Sequence, residues 1–305
     1  VSRSSLDLAG IFPPIPTPFD AEGSVSPSAL KRNLEFLNRY ELRGTVVLGS
    51  NGELVFLDPE EKTKTIEIVR DLLPSGKLLI AGTGCESTRS TVRLTREAAK
   101  AGSDAALVIN PHYYKNRFDR AALVRHYKTV AEQSPIPIIL YNMPACTGLD
   151  LDAPTVVELA GHENIIGMKD SSGNLAKMTQ ILEVIEHSRG DFQMLAGSAG
   201  FLLPALSIGA VGGVAALANV APDLCIRLHH AFLRGELQRA AELQRRIVGL
   251  NSLVTREGGV PAVKAAMDLL GLAGGAPRPP LLPADAPMRE RLRQALSELG
   301  LLDRQ

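Results

Sequence analysis

Short apolar runs alternate with segments whose apolar positions recur every three or four residues, from near the start of the chain to about residue 220. The runs at 11–17, 45–49, 78–82, 105–109, 136–141, 165–169, 193–197 and 213–216 are bounded by turn residues and predict eight strands. They are spaced by about 20–35 residues, the length of a βα unit. The runs are nearly continuous in apolar residues rather than alternating, the pattern of parallel strands covered on both faces. Between them, helix starts are explicit. Ser26-Pro27 precedes a stripe of Leu30, Leu34 and Leu37. Asp58-Pro59-Glu60-Glu61 places an N-cap, a proline at the first helical position and two acids at the positive helix end. Ile66, Val69 and Leu72 continue that helix until Pro74-Ser75-Gly76 stops it. Segments 91–101 and 175–187 also read as helices. Eight strands with helices between them predict an α/β fold, a closed (β/α)8 TIM barrel. An open doubly wound sheet is the alternative. Its glycine-rich nucleotide turn is matched only by Gly82-Thr83-Gly84, without the third glycine.

Beyond residue 221 the pattern is helical only. Segments 236–250, 261–270 and 287–299 are amphipathic, and the last, with Leu292, Leu296 and Leu299 on one face, follows a Pro/Gly-rich link at 274–283. The expected organisation is a barrel over 1–220 and a C-terminal helical extension over 221–305 that completes the same domain. Residues 192–222 carry no charge, long enough to span a bilayer. Pro204 and five glycines interrupt them, so two buried strands joined by a short buried helix fit better.

The 33 basic and 33 acidic side chains cancel, so nothing points to nucleic acid or an anionic membrane as partner. Cys85, Cys146 and Cys225 are odd in number and unclustered, which argues against a disulfide framework. Cys225 and His229, with His230 adjacent, are the only pair at ligand spacing, and no second pair completes a metal site. Residues 1–5 have no apolar signal core, and the chain starts at Val1. A removed targeting segment is not something these residues reveal.

The chemistry gathers at strand ends, where a (β/α)8 barrel carries its site. Lys169 closes the buried run Ile165-Ile166-Gly167-Met168 and is followed by Asp170-Ser171. A lysine there keeps its stem in apolar surroundings and its amine at a cavity mouth, where it can act as a nucleophile. It can equally be a lysine that snorkels past the strand end. Gly49-Ser50-Asn51-Gly52-Glu53 exposes N–H groups and a hydroxyl able to hold a carboxylate, or is an ordinary βα turn. Tyr141, one strand from Lys169, can carry a proton on its phenol, or be a core tyrosine. Tyr113 and Tyr114 serve equally as packing residues, and His112 reads as a loop histidine. A lysine, a phenol and an anion-holding turn on one cavity suggest imine chemistry on a 2-oxo acid. A metal-dependent aldolase on this fold would need clustered ligands that the sequence lacks. A non-catalytic 2-oxo acid sensor is a further alternative.

At these residues the chain resembles the dihydrodipicolinate synthase/N-acetylneuraminate lyase family of class I aldolases, from about Gly10 to Leu302. The most specific match is Tyr141-Asn142-Met143-Pro144, followed at the family's spacing by the run ending in Lys169-Asp170-Ser171. Asn51 departs from the usual threonine. The resemblance implies Lys169 as the imine-forming lysine, Tyr141 as proton shuttle and Ser50 with Asn51 as carboxylate binders. It implies Tyr113 as a relay tyrosine reaching a neighbouring subunit, with Tyr114 the other choice, and Gly197 on the pyruvate pocket. It further implies a homotetramer, built as a dimer of dimers, and no cofactor or metal. The synthases place an arginine two residues after the motif proline, where Cys146 stands here. The lyase's acidic pair after the seventh strand is replaced by Ser198-Ala199-Gly200. Within the family the whole chain is most similar to the branch that cleaves 4-hydroxy-2-oxoglutarate to pyruvate and glyoxylate in animal mitochondria. That similarity implies a mitochondrial matrix location and a setting in hydroxyproline degradation. Asn51 and Ser171 are then candidates for the far carboxylate. Another pyruvate-dependent lyase or synthase of the family is the alternative.

Overall fold

In the computed structural model residues 6–188 and 191–302 are described; residues 1–5, on which the reading of the chain's start rests, lie outside them. The eight runs form β1 (Gly10–Phe12), β2 (Gly44–Val47), β3 (Leu78–Gly82), β4 (Ala105–Ile109), β5 (Ile138–Asn142), β6 (Ile165–Asp170), β7 (Gln193–Ala196) and β8 (Gly212–Val214). They pair in parallel in the order β1-β8-β7-β6-β5-β4-β3-β2. The ring closes between β1 and β2 through three separate bonds rather than a ladder. Arg43 N donates to Ile11 O (3.0 Å), Val46 N to Pro13 O (3.0 Å) and Ile15 N to Val46 O (2.9 Å). Pro13, Pro14 and Pro16 have no N–H to give, so β1 ends at Phe12 instead of continuing to residue 17. The result is a (β/α)8 barrel, as the alternation predicts.

Phe12, Val46, Ile80, Leu107, Ile139, Leu195 and Val214 fill the interior, and a larger apolar layer lies between the strands and the outer helices. The outer ring holds α1 (Pro27–Leu37), α2 (Pro59–Leu72), α3 (Thr88–Lys100), α4 (Arg120–Gln133), the short α5 (Pro144–Thr147), α6 (Ala153–Ala160), α7 (Leu175–Ser188) and α8 (Leu202–Ser207). The start signal of α2 is a full capping box, with Asp58 N donating to Glu61 Oε2 at 2.9 Å. Ser26 Oγ accepts from Ala29 N at the head of α1. The uncharged stretch at 192–222 is β7, α8 and β8, as expected. No helix among the described residues is long and apolar enough to cross a membrane.

Four more helices follow: α9 (Pro222–Leu233), α10 (Leu237–Ser252), α11 (Gly259–Leu269) and α12 (Ala286–Glu298). The first contacts β1 and so sits in the outer ring; α10 packs on it, and α11 and α12 pack on each other. That packing supports the proposal that 221–305 belong to the barrel's own domain. The sequence reading assigns no helix to α4, α5 or α6, and gives α9 no bounds of its own within the helical part beyond residue 221. The buried faces of α4 and α9 contain His126 and His229, which break the apolar stripe as written, and α6 spans only eight residues.

Candidate active site

The register of β5 and β6 sets Tyr141 directly beside Lys169. Lys169 is 4% exposed, and its Nζ lies 3.9 Å from the centroid of the Tyr141 ring. The phenol oxygen of Tyr141 is 3.1 Å from Ser50 Oγ, which links the strand-5 end to the turn after β2. Side chains from two strands and from the turn after a third therefore meet. Three lysines are buried among the described residues. Lys177 is paired with Asp150 and, at 3.0 Å, with Asp170; Lys264 is paired with Glu53 at 2.6 Å. Lys169 alone has no carboxylate partner among the described residues. An amine not engaged by a carboxylate is sterically available to a carbonyl brought to it.

A cavity of about 540 Å³ opens at this end of the barrel, and Ser50, Tyr141, Cys146 and Asn110 are on its wall with Leu54, Phe56 and Leu107. A groove of about 650 Å³ between α3 and α4 is larger but lies outside the barrel and is lined by Arg89, Arg93 and Arg96. It holds no strand-end residue, and its one lysine, Lys100, stands at the end of α3 away from Tyr141 and Ser50, so the first cavity is the candidate site. Lys169, Gly197, Asn51 and Ser171 are not on the cavity wall; Lys169 adjoins it through Tyr141, and Asn51 Nδ2 and Ser171 Oγ are buried with no hydrogen-bond partner. Gly197 lies against Ser171: a Cβ there would stand 2.0 Å from Ser171 Oγ and 2.6 Å from the Asp170 carbonyl oxygen. Tyr113 is 76% exposed, packed edge-on against Tyr114, and is not brought to this chain's cavity. His112 does reach the wall, and its Nδ1 is 3.0 Å from Glu86 Oε1.

Several participants escape a sequence reading. Asp170 is fully buried beside Lys169 and receives Asn142 Nδ2 (3.0 Å), Lys177 Nζ and Ser172 N (2.7 Å). Asn142 Nδ2 also donates to Asp150 (2.6 Å), and Asn142 Oδ1 accepts from Leu151 N. This mesh ties the residues that follow Tyr141 and Lys169 to each other and to α7. Glu86 Oε2 accepts from the backbone N–H of His112 and Tyr113 (3.1 and 2.9 Å) and so fixes the loop that carries the tyrosine pair. The usable signal for Asp170 was its place next to Lys169; the others are joined across distances that no local pattern encodes. Burial pushes the Cys146 thiol up, partly opposed by Lys169 nearby and a hydrogen bond with Ser50. Cys225 and His229 are core residues. Burial pushes the Cys225 thiol up to about 12, and His229 Nε2 bonds the Val211 carbonyl at 3.1 Å.

The sequence profile described as the Dihydrodipicolinate synthetase family matches residues 7–299. The chain is 40% identical over 291 residues to 4-hydroxy-tetrahydrodipicolinate synthase of Methanothrix thermoacetophila, covering 95% of this chain and 97% of the relative. Among solved structures it is similar to YagE, a prophage protein of the dihydrodipicolinic acid synthase family from E. coli K12, solved in complex with pyruvate. That likeness has 30% identity and a TM-score of 0.91, with 96% of this chain and 99% of the other covered. A monomeric dihydrodipicolinate synthase variant superposes with a TM-score of 0.92 at 28% identity, covering 97% and 98%. Curated relatives from Methanothrix thermoacetophila, Methanococcoides burtonii and Archaeoglobus fulgidus are archaeal, from cells without mitochondria, and this overturns the expected matrix location. The hydroxyproline-degradation setting has no support from them. They carry a synthase's name, not that of the 4-hydroxy-2-oxoglutarate-cleaving branch.

Proposed function

Because the chain belongs to the dihydrodipicolinate synthetase family, we propose that it joins pyruvate to a second carbonyl compound through an imine on Lys169, in the manner of a 4-hydroxy-tetrahydrodipicolinate synthase. Membership makes it an enzyme, a pyruvate-dependent carbon–carbon lyase of the class I type, whose lysine imine works without a metal cofactor. The observation that carries the residue assignment is the unpaired, buried Lys169 amine against Tyr141, whose hydroxyl reaches Ser50.

The Lys169 amine attacks C2 of the 2-oxo acid. Water leaves, and the iminium draws electrons from C3, which loses a proton to give an enamine. The enamine carbon then forms the new bond to the partner's carbonyl carbon. In reverse, the C3–C4 bond breaks as the C4 hydroxyl gives up its proton. Tyr141 moves protons in both directions, and Ser50 extends that path by one hydroxyl. Ser50 and Asn51 hold the carboxylate through hydroxyl, amide and backbone N–H groups. The unpaired Asn51 Nδ2 supports that role, as the unpaired Ser171 Oγ supports a contact beside Gly197.

A second reading has one observation in its favour. Cys146, on the cavity wall, stands where the synthases carry an arginine, so the cation for a second carboxylate is missing at that position. This favours cleavage of 4-hydroxy-2-oxoglutarate to pyruvate and glyoxylate. The deciding experiment treats the protein with pyruvate and borohydride, locates the added mass, and then compares substrates. Formation of 4-hydroxy-tetrahydrodipicolinate supports the first reading. Pyruvate release from 4-hydroxy-2-oxoglutarate, but not from sialic acid or oxaloacetate, supports the second. An unmodified Lys169 at saturating pyruvate overturns both.

A further inference from the structure

The turn after β2 is bracketed by Leu48 (φ 55°) and Glu53 (φ 57°), the only non-glycine residues at positive φ among the described residues. Such a backbone is strained and persists only where its surroundings over-determine it. Inside the bracket, Thr17 Oγ1 donates to the Gly52 carbonyl at 2.7 Å. At its far end stands a buried ionic cluster. Glu53 Oε1 meets Lys264 Nζ at 2.6 Å, with both side chains essentially inaccessible, while Glu53 Oε2 accepts from Arg278 N at 2.7 Å. Lys264 Nζ also donates to the Ala276 carbonyl (3.0 Å) and lies over the Phe19 ring, 4.5 Å from its centroid. The Arg278 guanidinium grips both Glu61 oxygens at 2.7 Å, the Phe56 carbonyl at 2.7 Å and the Gly23 carbonyl. The link itself lies flat on α11, since a Cβ on Gly274 would stand 2.0 Å from the Lys264 carbonyl oxygen.

The donors that hold Glu53 come from α11 and the 274–278 link, more than 200 residues from the turn. We propose that Glu53, Lys264 and Arg278 form a positioning clamp by which the C-terminal extension keeps the Ser50–Gly52 turn shaped for the substrate carboxylate, setting affinity for the 2-oxo acid rather than the rate of the chemical step. The proposal rests on the reading that this turn binds the carboxylate. A role in stability alone would not need ions. A buried pair exchanged for neutral groups of similar volume is often neutral or stabilising, whereas removing one partner is costly. An ion pair with extra backbone bonds, in contrast, fixes direction. Glu53 is on the cavity wall, but its carboxylate is spent on Lys264 and Arg278 N, and Lys264 is spent on Glu53, Ala276 and Phe19.

The test compares the wild type with the double variant Glu53→Gln/Lys264→Met, which leaves no stranded charge, and with Arg278→Met, which loosens the link from its half-exposed side. Three quantities are read: thermal midpoint, kcat against KM, and the pyruvate concentration that half-saturates borohydride trapping at Lys169. The clamp predicts that half-saturation and KM rise about tenfold or more while kcat stays within about threefold. Half-saturation within about twofold of the wild type in either folded variant overturns it, whatever the thermal midpoint does. So does a fall in kcat at unchanged KM. Failure of the wild type itself to trap pyruvate strikes the imine reading, and with it the ligand that the clamp is said to serve.

Discussion

At the scale of single residues, the proposed mechanism divides the labour between a nucleophile, Lys169, and a proton carrier, Tyr141. Lys169→Ala removes the one buried lysine among the described residues that is not committed to a carboxylate, so both turnover and borohydride trapping should vanish while the circular dichroism spectrum stays that of the wild type. Tyr141→Phe deletes one hydroxyl and keeps the ring against Lys169. Steady-state assays should therefore show kcat lowered by about 10²–10⁴ with trapping retained; a near-normal rate would assign the proton to another group. Both residues were legible because each sits at the end of a short apolar run and the runs are neighbouring strands. Glu53, Lys264, Asp170 and Lys177 were not. A charged residue written in a helix or turn looks solvated, and only the folded chain reveals that its partner is a charge brought from elsewhere. Tyr113 sits between the two cases: the resemblance supplied a role for it, while within one chain it faces solvent.

Elements were read from their caps and periodicity, and they failed where a polar residue had been drawn into a buried face. His126 on α4 is the clearest instance. Its Nδ1 is 2.9 Å from Thr88 Oγ1 at the start of α3, while Nε2 is buried without a partner. Burial lowers its pKa from 6.5 to about 4. Above pH 6.5 the imidazole is neutral folded or unfolded and costs nothing. As pH falls below 6.5 the unfolded chain takes up a proton that the folded one refuses, so stability declines until about pH 4 and then levels. The full loss is about 3 kcal/mol. His126→Gln should flatten this limb in urea unfolding curves recorded from pH 7 to 4; an unchanged slope would place the imidazole in contact with water. Strand ends show the same limit in another form. The proline cluster after Phe12 was visible in the sequence, yet the apolar run around it still read as strand.

For the whole molecule, the barrel class followed from counting eight runs, but how copies assemble does not follow from one chain. The tetramer implied by the resemblance is a proposal, and a solved relative described as a monomeric variant shows that this fold does not compel one. Mixing the inactive Lys169→Ala protein with Tyr113→Phe protein offers a direct check. If Tyr113 serves a neighbour's site, hybrids regain activity, because a site with an intact lysine then receives an intact tyrosine. If it serves its own chain, or none, the mixture stays no better than its parts. The same scale of view applies to the closure between β1 and β2. A cylinder whose staves are joined by full ladders on every side but one has a seam, and here the seam runs beside the turn proposed to receive the carboxylate. Amide protons at Arg43, Val46 and Ile15 should exchange with deuterated water sooner than those of β5 and β6, and pyruvate should slow them selectively. The barrel would then breathe along the line where its ligand enters, and a bound 2-oxo acid would act as the missing stitch.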